Sequence, residues 1–426
     1  MTSSTGPAHT RDRSLDKTRD LAHQPWLPWA AFALVHIIVS IQGLLRPGVL
    51  ADIELYSWWV ESGIVDGVWP VLSADGPFAE WVYPIMALVP MVVAYGLSTV
   101  LGVHLAWLVL ATGASAVAFG MLRRDSTTTV GSWFWLSFVL LSGPIALARL
   151  DIFVAVSVCV ALCVRLSHPW LAAVLLTVGA WIKVVPGMVL WPLVVSTRSW
   201  LRRVIVPALA VCFTVGVLVA LTGALPRVLS FLGAQSDRGL QAESVGASAV
   251  QVIAQFADPA VIAFNEEIST YEITGGIAEH VVKVIPWLLI VATLSIMSLV
   301  WRARANPSEV MTWGALALLT WAIIGNKVGS PQFQIWLLAP IAFGLSQQLW
   351  RQRWRLVAGL ALAAAGLTQL VYPVFYSELL RLHGGAVALL AVRNLLVLII
   401  GVIAMRSLWQ LGGSTRRQST LHKMSS

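Results

Sequence analysis

The sequence predicts an all-α integral membrane protein: one multi-pass helical body of about 10 to 12 transmembrane helices, with two longer outer loops. Three observations predict it. Of 426 residues, 58% are hydrophobic and only 11% charged, and the mean hydropathy is +0.80. Soluble domains carry roughly 25% charged residues, so this chain has too little polar surface to cover a globule. About twelve apolar runs approach the roughly 20 residues that a span needs, and basic residues cluster at their ends.

The same numbers exclude a large soluble catalytic domain. The net charge of +8 and pI near 9.8 are assigned to membrane topology rather than to nucleic acid, because the basic residues flank apolar runs. Cys159, Cys163 and Cys212 all lie inside apolar runs without metal-ligand spacing, so neither a disulfide framework nor a metal site is expected. There is no Walker loop and no dinucleotide glycine pattern; ATP drive and a bound cofactor are not expected.

Residues 1–25 are polar and mixed in charge, from Arg11 to Asp20, and read as a cytoplasmic tail rather than a cleaved leader. A single polytopic region follows over 26–405. Its apolar runs fall at 26–45, 83–100, 103–122, 131–148, 151–165, 169–195, 204–223, 284–301, 310–325, 333–347, 355–372 and 386–405. Basic clusters at Arg198, Arg202 and Arg203, at Arg302 and Arg304, at Arg351, Arg353 and Arg355, and at Arg406, Arg416 and Arg417 alternate with uncharged or acidic connections. By the positive-inside rule both termini are cytoplasmic, and 406–426 is a basic cytoplasmic tail. In the first half, counting places Arg123 and Arg124 outside, against the rule. Either 83–122 does not make two full crossings, or 131–195 contains short, broken helices around Pro144 and Pro186.

The connections 46–82 and 224–283 are long, assign to the outside, and together hold 13 of the 20 acidic residues. Long loops among short ones carry function more often than their neighbours do. The first opens with Asp52-Ile53-Glu54-Leu55-Tyr56-Ser57-Trp58-Trp59. As a helix it places Asp52 and Tyr56 on one face, while Trp58, Trp59 and Trp69 suit an element lying on the bilayer surface. A carboxylate held there could act as general base on a hydroxyl whose owner is anchored in lipid; the competing reading is a capping acid in an aromatic belt.

Charges inside apolar runs cost roughly 2.5 to 3.5 kcal/mol each at mid-span, so they are candidates for function. Lys183 follows more than a dozen apolar residues and precedes Pro186. Beside a broken helix its ammonium suits a phosphate, with snorkelling as the competing reading. Arg149 and Asp151 stand between two runs and would pair at a helix boundary. Polar islands at 236–244, at 325–334 and at Arg393-Asn394 complete the set. Arg238, Lys327 and Lys183 are expected to meet Asp52 in one outward-facing cavity. The 21 Trp against 6 Tyr favour membrane residence over carbohydrate stacking.

The order of these motifs resembles glycosyltransferase family 87, the GT-C-type mannosyltransferases of actinobacterial envelopes. The resemblance runs through Asp52-Ile-Glu-Leu-Tyr56, Tyr83-Pro84, Arg149-Leu-Asp151, Trp181-Ile-Lys183-Val-Val-Pro186, Arg238-Gly-Leu-Gln-Ala-Glu-Ser244, Lys327-Val-Gly-Ser-Pro-Gln332, Leu367-Thr-Gln369 and Ala391-Val-Arg-Asn394. It implies a GT-C-like fold that takes mannose from a polyprenyl-phosphate donor at the outer face of the plasma membrane and passes it, with inversion at C1, to a hydroxyl of a lipid or glycan acceptor. Asp52 matches the family's first-loop acid, which implies the general base. Lys183 matches the lysine of a Lys-x-x-Pro pattern, and with Arg238 and Lys327 it would bind the donor phosphate, so that no metal is needed. Glu54, Tyr56, Tyr83, Arg149, Asp151, Gln241, Glu243, Gln332 and Arg393 are the remaining cavity candidates. Two departures stand out: the family's Tyr-Pro-Pro is Tyr83-Pro84-Ile85, and its Val-Leu-Ser-Pro-Gln is Val328-Gly329-Ser330-Pro331-Gln332. The rival class is a secondary transporter or flippase, because midplane charges and broken helices also mark transport sites. The Trp-rich first loop and the lack of matching halves favour the transferase.

Overall fold

The computed structural model describes residues 24–71, 81–225, 228–230, 233, 238–257, 259–266, 270–347 and 351–424. Most of the N-terminal tail, the acids Asp75, Glu80, Asp237, Asp258 and Glu267, and the side chains of Arg351, Arg416 and Arg417 lie outside the described residues. Almost everything else is helix. The helices are α1 (Leu27–Leu44), α2 (Ala51–Val65), α3 (Leu88–Leu101), α4 (Val103–Asp125), α5 (Val130–Ser142), α6 (Asp151–Val164), α7 (Pro169–Ile182), α8 (Leu190–Ser196), α9 (Val206–Leu221), α10 (Val245–Ala254), α11 (Ala278–Arg302), α12 (Pro307–Ile324), α13 (Leu338–Ser346), α14 (Arg351–Gln369), α15 (Tyr376–Leu380) and α16 (Gly384–Met424).

Each of the twelve apolar runs is helical, and the chain is a multi-pass helical membrane protein. Seven helices among the described residues are long and apolar enough to cross a membrane: Leu27–Leu44, Val103–Asp125, Leu201–Leu221, Ala278–Arg302, Pro307–Ile324, Gln352–Val374 and Gly384–Gly413. The other runs form shorter pieces. At 1.5 Å per residue, the 14 residues each of α3, α6 and α7 fall short of a hydrocarbon core of about 30 Å. Pro144 and Pro186 mark two of the breaks, in 3-10 turns over Gly143–Ala146 and Val185–Val189, where proline removes a helix donor.

Packing ranks the helices. In α12 78% of the span is buried, whereas in Leu201–Leu221 only 17% is, which makes α12 the centre and α9 a lipid-facing flank. The core joins α12 to α16, α6 to α4 and α7, and α5 to α13. Trp313 of α12 stacks on Trp354 of α14 with centroids 3.8 Å apart.

Two expectations need correction. The tryptophans of the segment after the first span do not face outward together. That segment is α2, packed on α3 and α4, with Tyr56 and Trp59 both 2% exposed and Tyr56 against Trp107. Ile53, Tyr56, Trp59 and Val60 give it an apolar face wide enough to bury, so only Trp58 of the pair stays partly exposed. The second departure from an all-α chain lies in 224–283, where strands β1 (Val261–Asn265) and β2 (Thr270–Thr274) form an antiparallel hairpin, Val261 opposite Thr274. Alternating β-branched and aromatic residues favour that pairing.

The hairpin carries an arm. Along residues 239–242, Gly239 N donates to Glu272 Oε1 at 2.7 Å, Ala242 N to Tyr271 O at 3.0 Å, and Gln241 N to Lys327 O at 3.0 Å on the other side. The arm is thereby clamped between the hairpin and residues 327–330. Gly329 makes this possible: a Cβ there would collide with the backbone of Glu243 and Ser244. Gly329→Ala is therefore expected to destabilise the fold by about 1 to 3 kcal/mol, the usual cost of overpacking, seen as a lowered thermal midpoint of the purified protein in detergent.

Candidate functional site

Asp52 sits in the first turn of α2, where the helix dipole favours a carboxylate. Arg149 Nε stands 2.7 Å from its Oδ2, with Arg149 buried and Asp52 34% exposed. Arg149 also donates through Nη1 to Val49 O (3.0 Å) and Ala148 O (3.2 Å), and Tyr372 stands in the same cavity wall. Burial opposes its charge, but Asp52 and the surrounding tyrosines outweigh that and raise its pKa, so it stays a cation.

The expected Arg149–Asp151 pair does not form. Residues two apart at a helix start point different ways. Asp151 opens α6 and instead clasps Lys183, whose Nζ donates to Oδ1 at 2.8 Å and Oδ2 at 2.9 Å, while Trp336 Nε1 donates to Oδ1 at 2.6 Å. Lys183 stands just past the end of α7, in extended conformation, over the Phe333 and Trp336 rings at 4.6 and 5.5 Å.

The arm ends in a third polar group. Gln241 Nε2 donates to Glu243 Oε2 at 3.1 Å, and Gln241 Oε1 accepts from Gly329 N at 2.9 Å. Tyr376 stands beside Glu243 in the same cavity wall. Glu243 O accepts from Arg393 Nη2 at 2.9 Å and Asn394 Nδ2 at 3.4 Å, both on α16. Ser244 caps α10 by accepting from Ala247 N. Burial pushes the Glu243 carboxyl up to about 7, against the pull of Arg393, Tyr376 and Gln241. Burial likewise raises the hydroxyls of Tyr83, beside Asp52, and Tyr376, beside Glu243, so both remain donors.

These groups line two adjoining cavities. One, of about 310 Å³, is polar: Asp52, Arg149, Arg238, Gln241, Glu243 and four tyrosines, Tyr83, Tyr271, Tyr372 and Tyr376, stand in its wall. The other, of about 300 Å³, holds Lys183 and Arg238 among Val184, Val185, Leu289, Val328, Phe333 and Trp336. Val82, Tyr83, Arg238, Ser330 and Gln332 belong to both. Asp52, Lys183 and Arg238 thus meet around one shared wall rather than in a single chamber.

Of the other candidates, five fall outside both cavity walls. Tyr56 lies behind Tyr83, ring centroids 6.3 Å apart, and Asp151 acts through Lys183. Glu54 pairs with His104 at 3.1 Å on the outer side of α2, Lys327 gives the arm its carbonyl, and Arg393 holds the Glu243 backbone. Sequence reasoning missed Tyr271, Tyr372 and Tyr376. Tyr372 and Tyr376 reach the cavity because the helix breaks after α14, where Tyr372 is extended (φ −129°, ψ 119°) ahead of Pro373. The available signal was that only six tyrosines occur in the chain and two of them precede proline, Tyr83 and Tyr372. Among the described residues no group of three or more His, Cys, Asp or Glu is placed to hold a metal ion. No protein-family model, curated protein or solved structure matches the chain.

Two outcomes are expected. Asp151→Ala would leave the Lys183 ammonium without its carboxylate and cost about 3 kcal/mol, the low end for breaking a buried pair, measurable as a drop in thermal midpoint. The second concerns pH. The folded Glu243 carboxyl titrates at about 7 against an ordinary 4.5, so between those values the folded protein holds a proton the unfolded chain has lost. Stability then falls as pH rises through this window and levels off above it. Thermal midpoints over about pH 5 to 8 should show that fall in the wild type, and Glu243→Gln should make it shallower.

Proposed function

We propose that the chain is an inverting, polyprenyl-phosphate-dependent glycosyltransferase of the GT-C type, passing mannose to a hydroxyl of a lipid or glycan acceptor. The observation that carries this reading is the shared wall: a polar cavity with Asp52 and an apolar cavity with Lys183 meet at Arg238, Tyr83 and Gln332. The apolar cavity suits a phosphate followed by isoprenoid, with cations for the phosphate and valine, leucine and aromatic side chains for the chain. The polar one suits sugar hydroxyls. In this reading the acceptor hydroxyl loses its proton to Asp52 as its oxygen attacks C1. The C1–O bond to phosphate breaks with its electron pair, and polyprenyl phosphate departs toward Arg238 and Lys183, which offset the charge it gains. Arg149, 2.7 Å from Asp52 Oδ2, orients the carboxylate toward the attacking hydroxyl. Mannose as the sugar, the outer face of the plasma membrane as the place and cytoplasmic termini come with the same proposal, from the family resemblance and the charge pattern of the loops.

The test is sugar transfer by the purified protein in nanodiscs, given polyprenyl-phosphate mannose and a membrane lipid extract. Wild type is expected to transfer. Asp52→Asn should lose about 10²- to 10⁴-fold in rate, the usual worth of a general base, while still binding donor. A folded wild type that transfers from no polyprenyl-phosphate sugar would overturn the proposal and favour transport.

A further inference from the structure

The proposed transfer chemistry uses Asp52, Arg238 and Lys183, and leaves Glu243 without a task. Yet Glu243 is 2% exposed and stands in the polar cavity wall, where a carboxyl is costly to bury. Its position is heavily determined. Arg393 and Asn394 hold its carbonyl, Gly329 abuts its backbone, Gln241 donates to its carboxyl, and Tyr376 stands beside it in the cavity wall. Arg393 donates to the carbonyl rather than forming an ion pair with the carboxylate, so the acid is placed without being tied to a counter-charge.

Gln241 is fixed too. Its Oε1 accepts from Gly329 N and, at 3.4 Å, from Ser330 Oγ, which settles the orientation of the amide. An amide nitrogen carries two hydrogens, and Glu243 takes one. With the Tyr376 hydroxyl, the cavity wall then presents a carboxyl, an amide donor and a phenol side by side. A purely structural network would be sealed by packing; this one lines a cavity of about 310 Å³, room enough for a hexose.

We infer that Gln241, Glu243 and Tyr376 form a sugar-hydroxyl subsite, distinct from the Asp52 base, that takes adjacent hydroxyls of a hexose and so selects the sugar standing in the polar cavity. The inference rests on the transferase reading. Because burial brings the Glu243 carboxyl to about 7, at neutral pH it can accept from one hydroxyl or donate to the next. The hexose could be the donor's mannose or a sugar of the acceptor, and the chemistry of the subsite serves either.

Transfer kinetics of the purified full chain distinguish them, using polyprenyl-phosphate mannose and a membrane glycolipid extract, with Glu243→Gln and Tyr376→Phe beside the wild type. Loss of one hydrogen bond to a sugar hydroxyl is expected to raise KM about tenfold with kcat little changed. A rise confined to the donor places the donor's mannose in the subsite, and one confined to the acceptor places the acceptor's sugar there. Monodeoxy-mannosyl donors supply a readout that a structural role would not move: if the donor's sugar is held, the penalty for the matching deoxy position shrinks in the variants. Tyr376→Phe removes a single oxygen and guards against misfolding of Glu243→Gln. Wild-type transfer with KM unchanged for both substrates in folded Tyr376→Phe and Glu243→Gln overturns this inference alone. No transfer by the wild type overturns the transferase reading, and the subsite with it.

Discussion

Arg149 is a buried guanidinium, and a buried cation must find acceptors or it destabilises the fold by several kcal/mol. Its acceptors are Val49 before α2, Asp52 within α2 and Ala148 before α6. One side chain therefore ties the start of α2 to the start of α6 at the polar cavity, where Tyr372 also stands. The position of Asp52 is a consequence of that constraint. An acid 2.7 Å from a guanidinium that is itself anchored to two carbonyls is held in place.

The second buried pair works the same way on the other side of the shared wall. Lys183 ends α7, Asp151 begins α6, and Trp336 comes from the turn before α13, so the pair joins three elements at the points where their helices stop. Backbone that leaves helical geometry inside a membrane protein has to line a cavity or be satisfied by neighbours. Here the breaks at 183–189, 325–337 and 370–375 converge, and the cavities lie where they do.

Part of this was legible in the sequence: charge in or between apolar runs is expensive, so Arg149, Asp151 and Lys183 stood out, whereas Asp52 and Glu243 were marked by their place in the two long acidic connections. Their partners were not legible. Nearness in sequence suggested Arg149 with Asp151, whereas the fold exchanges partners through helix ends far apart in the chain. Lys327 and Arg393 show the limit of the same rule, because each charge marks an important place, yet the contacts seen use the Lys327 carbonyl and the Arg393 bond to a backbone oxygen. Glu54 sits two residues from Asp52 in the same helix, but is exposed and pairs with His104. Tyrosines carry no insertion cost comparable to a charge, so Tyr271, Tyr372 and Tyr376 gave no such signal, and the break in the helix at Tyr372-Pro373 places two of them. The twelve helical runs were readable from hydropathy, while their lengths depended on prolines and on packing.

The Glu243 arm shows how a site keeps polar groups available in a low-dielectric surrounding. Had Arg393 met the carboxylate directly, the pair would be satisfied and of little further use to a ligand. Arg393 and Asn394 bond to the carbonyls of residues 243 and 244 instead, and the hairpin and Gly329 hold the rest of the backbone. The side-chain atoms are then positioned by bonds that do not consume them all, which is what preorganisation requires of a group that must meet a ligand. The cost appears in the carboxyl itself, driven up to about 7 because burial outweighs the distant cation and the neighbouring Tyr376 and Gln241. A carboxyl poised between its two protonation states is poor as a structural strut, since neither form is fully satisfied, and well suited to oxygens that can both donate and accept.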